Sequence, residues 1–193
     1  MNKNSNTYQI IYSAIMVVLV GAVLALIYMS LKPLQDENIA NDKRKQILTA
    51  LHVATASDAE VKAAYEKYIV QDMLVSGTGE VVDTTAGCAF DVNMASNVKL
   101  AAADRKLPVL KCKTDDGSTK YVIPVYGAGL WGPIWGYIAI ADDGSTVYGA
   151  NFSHKGETPG LGARITEEFF LDAFKDKQLF KDSKFTNVEV VKK

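Results

Sequence analysis

The sequence predicts an α+β fold: one N-terminal transmembrane helix, then a domain of antiparallel hairpins packed by helices. Three observations predict it. A run of 22 residues, Ile10 to Leu31, carries no charge. Two pairs of strand-like segments are each joined by an Asp-Asp-Gly-Ser turn, at 115–118 and 142–145. Helical patterns stand before and after these hairpins, and helices segregated from strands favour α+β over a parallel α/β arrangement.

At 1.5 Å per residue the uncharged run makes a helix about 33 Å long, enough for a hydrocarbon layer of about 30 Å. It exceeds the h-region of roughly 7–15 residues in a signal peptide. Tyr8, Tyr12 and Tyr28 lie near its ends, where amphipathic rings favour the membrane interface. Residues 1–9 are therefore read as a short tail, 10–31 as the span and 32–193 as the domain. Positive charges give only a weak orientation. Lys3 precedes the span and Lys32, Lys43, Arg44 and Lys45 follow it, which by itself puts the domain on the cytoplasmic side.

Lys32 and Pro33 end the apolar run. Asp36 to Val53 reads as a helix with Ile39, Ile47, Leu48 and Leu51 as its apolar positions. A second helix begins near Ser57, which has capping-box spacing to Glu60. Its stripe of Val61, Ala64, Tyr65, Tyr68 and Ile69 reads as core. Glu80 to Asp83 is a candidate strand. Pro108–Lys113 with Lys120–Val125, and Ile134–Ala141 with Val147–Phe152, form the two hairpins. Thr166 caps a third helix, with Glu167 and Glu168 at its positive dipole end. Phe169, Phe170, Ala173 and Phe174 supply that helix's buried side. Asn187–Val191 is the last strand.

Composition excludes several classes. The formal net charge is −1 and no basic stripe dominates, so no nucleic-acid partner is expected. Cys88 and Cys112 are the only cysteines. They form either a disulfide, in an oxidising compartment, or two ordinary thiols. With His52 and His154 they match no zinc or iron–sulfur spacing, so no metal site is expected. No Ser/His/Asp set, Cys–His pair or phosphate loop is present, and no catalytic residue is assigned.

Glycine-rich stretches hold the remaining candidates. Tyr126-Gly127-Ala128-Gly129-Leu130-Trp131-Gly132-Pro133 joins the hairpins. Its glycines let backbone approach a ligand, and its tryptophan offers a flat face to a planar ring; the alternative is a structural turn with a core tryptophan. His154-Lys155-Gly156-Glu157-Thr158-Pro159-Gly160-Leu161-Gly162-Ala163 is the second. Pro159-Gly160 suits the centre of a type II turn, and such a loop can aim N–H groups at an electron-rich group. His154 reads as a surface histidine. Thr78-Gly79 through Gly87 reads as strand and turn only.

Tyr-Gly-x-Gly-Leu-Trp at 126–131, Gly-Tyr-Ile-Ala at 136–139 and Gly-Glu-Thr-Pro-Gly-Leu-Gly at 156–162 resemble the C subunit of the bacterial Na⁺-translocating NADH:quinone oxidoreductase. The likeness covers nearly the whole chain. It implies a flavoprotein domain on the extracytoplasmic side of the inner membrane, against the charge count. It also implies FMN held by a phosphoester to a threonine. Such a protein relays electrons in a pathway from NADH to ubiquinone coupled to Na⁺ transport. Its partners would be the other subunits, a flavin transferase during maturation and membrane lipid. Leu130, Trp131, Glu157, Thr158, Gly160 and Leu161 match the segments beside the flavin. The acceptor motif of the family, Ser/Asp-Gly-Ala-Thr/Ser-x-Thr, does not occur in these residues, and Ser76-Gly77-Thr78-Gly79 is not one. The attachment residue therefore stays unassigned, and the domain is expected to be incomplete at its C-terminal side. The Glu-Thr-Pro-Gly-Leu-Gly element is shared with the G subunit of the Rnf ferredoxin:NAD⁺ complex, which is one alternative. A membrane-tethered assembly or binding module without flavin is the other.

Overall fold

The computed structural model describes residues 5–182 and 184–186. It divides into two units, Met1–Asp42 and Lys43–Lys193. The expected strand Asn187–Val191 lies outside the described residues.

The first unit is the greater part of one helix, α1 (Asn6–Ala50), which is long and apolar enough to cross a membrane. Side chains along Ile10–Leu31 are exposed within the protein, as a lipid-facing helix requires. The helix does not restart after Pro33. Proline removes one backbone donor, but the turns on either side keep theirs, so α1 runs through it. Lys32 and Asp36, one turn apart, pair at 2.5 Å. Ile39, one of the apolar positions of the expected helix, is exposed. The helix ends at Ala50, short of Val53, where His52 takes a positive φ of 59°.

The second unit contains the last two turns of α1, α2 (Asp58–Tyr68), β1 (Ile69–Val75), β2 (Val81–Asp83), α3 (Met94–Asn97), β3 (Leu107–Lys113), β4 (Thr119–Ala128), β5 (Pro133–Ala141), β6 (Val147–His154), α4 (Glu168–Asp172), β7 (Phe180–Lys181) and β8 (Lys184–Phe185). Six strands form one antiparallel sheet in the order β2-β1-β3-β4-β5-β6, and β7 pairs with β8. Both predicted hairpins are present, with Val122 opposite Leu110 and Ala150 opposite Ile138.

Alternation assigns the sheet two faces. On one, Leu110, Cys112, Val122, Tyr137 and Ala139 pack against Ile47, Ala50, Leu51 and Ala89. Leu48, Val61 and Tyr68 form a smaller cluster beside it, so the α2 stripe is core. On the other, the Phe152 ring meets Phe170 at 5.9 Å and Phe174 at 5.0 Å between centroids.

Four local readings change. Ile69 opens β1 and does not extend α2; the run Ile-Val-Gln-Asp-Met-Leu-Val pairs with β3 from Ile69 onward. Ser57 stands at the N-cap without a side-chain bond, while Glu60 accepts from the Ala56 N–H at 3.0 Å. Thr166 is not a cap: its hydroxyl donates back to the Ala163 carbonyl, a 3₁₀ turn spans Gly162–Thr166, and α4 starts after Glu167. Phe169 is exposed, with the Arg164 guanidinium 4.5 Å from its ring. Cys88 and Cys112 are free thiols. Burial pushes the Cys112 thiol up to about 12, and burial with Asp83 and Asp72 nearby raises that of Cys88.

Candidate functional site

The end of β4, the start of β5 and the end of β6 meet at one margin of the sheet, because Ala128 is opposite Pro133 and Ile134 opposite His154. This register brings the loop 129–132 beside the loop 155–162. Lys155 N–H donates to the Pro133 carbonyl at 3.0 Å, and the Gly129 N–H closes its own loop on the Gly132 carbonyl at 2.7 Å.

Glu157 joins the two loops. It is 9% exposed, and one carboxylate oxygen, Oε1, accepts from the Trp131 N–H at 2.9 Å. Its own N–H donates to His154 Nδ1 at 3.1 Å. His154 is therefore a half-buried acceptor at the edge of the loop, and its other ring nitrogen carries the proton in the neutral form. The three-residue spacing of His154 and Glu157 was the available signal for this bond.

The other candidates surround that carboxylate. Leu130, Trp131 and Leu161 are 83%, 70% and 73% exposed. Trp131 is thus not a core residue. Large apolar groups are seldom left so open in adjacent loops without something to cover them. Thr158 is exposed, and its carbonyl accepts from the N–H groups of Leu161 and Ala163, both at 3.1 Å. The Thr158 carbonyl thus takes up two of this loop's donors. Gly160 has φ of 75°, as the second central position of a type II turn needs.

Sequence reasoning missed what Gly129 and Gly162 do. A Cβ at Gly129 would lie 2.4 Å from Glu157 Oε1, and one at Gly162 would lie 2.7 Å from Oε2. Nothing in the glycine pattern announces this, since the contact at Gly129 comes from a residue distant in sequence. Behind the loops, on the phenylalanine-bearing face, lies a cavity of about 400 Å³. Val125, Ile134, Ile138, Phe152 and Ile165 are among its apolar lining. Among the described residues, no cluster of His, Cys, Asp and Glu is placed to hold a metal ion. The arrangement offers apolar faces and backbone to a ligand, and no proton-transfer pair.

Comparison with known proteins gives concordant results. Residues 129–192 match the FMN-binding domain family. The chain is 33% identical over 181 residues to the C subunit of the Na⁺-translocating NADH-quinone reductase of Haemophilus ducreyi, covering 85% of this chain and 70% of that protein. It is 30% identical over 176 residues to the same protein from Vibrio anguillarum, covering 84% and 68%. The crystal structure of the C subunit from Parabacteroides distasonis superposes with a TM-score of 0.76 at 41% identity, covering 84% of this chain and 77% of that one.

Proposed function

The chain belongs to the C-subunit family of Na⁺-translocating NADH-quinone reductases, and from that premise we propose that it is an electron-relay flavoprotein with bound FMN. It is one subunit of a multi-subunit membrane oxidoreductase of that type. Its α1 helix is a single pass through the inner membrane, and the domain is extracytoplasmic. The charge count points the other way, and membership of the family overrules it.

One observation carries the flavin reading. Leu130, Trp131 and Leu161 are left exposed on two loops that Glu157 ties together. A planar isoalloxazine ring suits such a surface, because aromatic and branched aliphatic groups pack on its faces. Leu130, Trp131, Thr158, Gly160 and Leu161 would hold the ring, with Glu157 beneath them in the same two segments. When bound, FMN supplies one- and two-electron chemistry that no side chain here can supply. The protein's own tasks are then to hold the ring, restrict water on its buried side and leave an edge open to partner subunits. A phosphoester to a threonine would relax the need for a phosphate pocket; no acceptor is assigned within residues 1–193. Residues 10–31 are proposed as the span and the residues from 32 onward as the flavin-binding domain.

The test is in-gel fluorescence and intact mass of the gene product expressed in its native membrane. The expected result is a fluorescent band that survives denaturation, with the mass of one added FMN phosphoester. A dark band at the bare polypeptide mass overturns the relay, and the exposed loops would then serve assembly.

A further inference from the structure

The resemblance puts Glu157 among the flavin contacts, yet the residue is buried and one of its carboxylate oxygens is already bonded within the protein. Oε1 takes the Trp131 N–H at 2.9 Å. The same oxygen fills the space where a Gly129 side chain would begin, 2.4 Å from that Cβ position. Oε2 fills the corresponding space at Gly162, at 2.7 Å, with the Glu157 Cβ 3.2 Å away. The Glu157 backbone is fixed in turn by its N–H bond to His154 at the end of β6. Oε1 is thereby committed to the Trp131 N–H and is not available to a ring lying over Leu130, Trp131 and Leu161.

The geometry points to Glu157 as a positioning residue that pins the 129–132 loop to the 156–162 loop. It acts on a ligand through the loop that carries Trp131. Burying a carboxylate is costly unless hydrogen bonds compensate it, and glycines at 129 and 162 leave the space that its oxygens fill. An N–H bonded to a charged acceptor is the stronger kind, and here it fixes the backbone that carries the most exposed aromatic side chain of the site.

This inference rests on the flavin reading only for the identity of the ring. Its test therefore reads the polypeptide: amide hydrogen exchange of the full chain in detergent micelles, followed at Trp131 and, as a reference, along β3. Glu157→Ala should speed exchange at Trp131 about 10- to 100-fold, the range expected for losing a hydrogen bond to a charged acceptor, with β3 unchanged. Glu157→Gln keeps an acceptor oxygen in the same place and should restore protection. Gly129→Ala leaves the carboxylate in the chain but displaces it, and should reproduce the Glu157→Ala effect. Unchanged exchange at Trp131 in Glu157→Ala, or no rescue by glutamine, overturns the strut. Should Glu157→Ala unfold β3 as well, Gly129→Ala decides: faster exchange confined to Trp131 supports the inference, and none overturns it. A dark band in the fluorescence test would remove the flavin and leave this result standing.

Discussion

A methyl group on Gly136 would lie 2.2 Å from the Asn151 carbonyl oxygen, 2.7 Å from the Phe152 ring and 3.1 Å from the Phe152 Cα. Two of these neighbours are backbone of the paired strand and cannot step aside without breaking the β5–β6 ladder. Gly136→Ala is expected to destabilise the domain by about 1–3 kcal/mol, as overpacking does, read as a lower midpoint in urea. Gly156→Ala, where nothing lies within 4 Å, should change it little. Together with Gly129 and Gly162, this position shows what the sequence left hidden. A glycine in a rich loop reads as freedom for a ligand's approach or for a turn, and Gly160 has the positive φ of the expected type II turn. At the other three positions the space belongs to the protein's own atoms. Glu157 could be named as a candidate from its motif, but its burial depends on Trp131, 26 residues away, arriving at its oxygen.

At the scale of elements, the hairpins were legible because each combines β-branched alternation with an Asp-Asp-Gly-Ser turn, and Gly117 and Gly144 do take positive φ there. Elements went astray where two patterns abut. Ile69 fits the helical stripe of Val61 and Tyr65 and the strand that follows equally well, and only pairing with β3 settles it. Pro33 ends an apolar run, which is a statement about solvent, without ending the helix, which is a statement about hydrogen bonds. The last two turns of α1 serve the domain: Ile47, Leu48 and Ala50 are wholly buried and Leu51 is 1% exposed. Leu51→Ala should therefore cost about 2–5 kcal/mol, the range for truncating a packed leucine. Ile39→Ala, at an exposed site of α1, should alter the domain's melting by no more than about 0.5 kcal/mol. Thermal melts of the two variants check this contrast.

For the whole molecule, the division falls inside a helix and not in a linker, between Asp42 and Lys43. Removing residues 1–42 should keep the melting transition of the full chain, whereas removing 1–53 should abolish it, because the second cut takes Ile47, Leu48 and Leu51 from the core. Circular dichroism of both truncations decides it. The family and its fold were legible at this scale, since three short motifs and one uncharged run suffice to specify them; the membership of α1 in the domain's core was not, as it needs contacts across some 90 residues, from Ile47 to Tyr137 and Ala139. The strand order carries a consequence in time. From β4 to β6 each strand pairs with the one made just before it, so this half of the sheet can zip by successive local closures as synthesis proceeds, each paying little loop entropy. The late and costly step is the return of these strands to a helix end translated long before them. Until that meeting, Ile47 and Leu51 wait uncovered, and any quality-control protease that samples nascent envelope proteins would find its opening there.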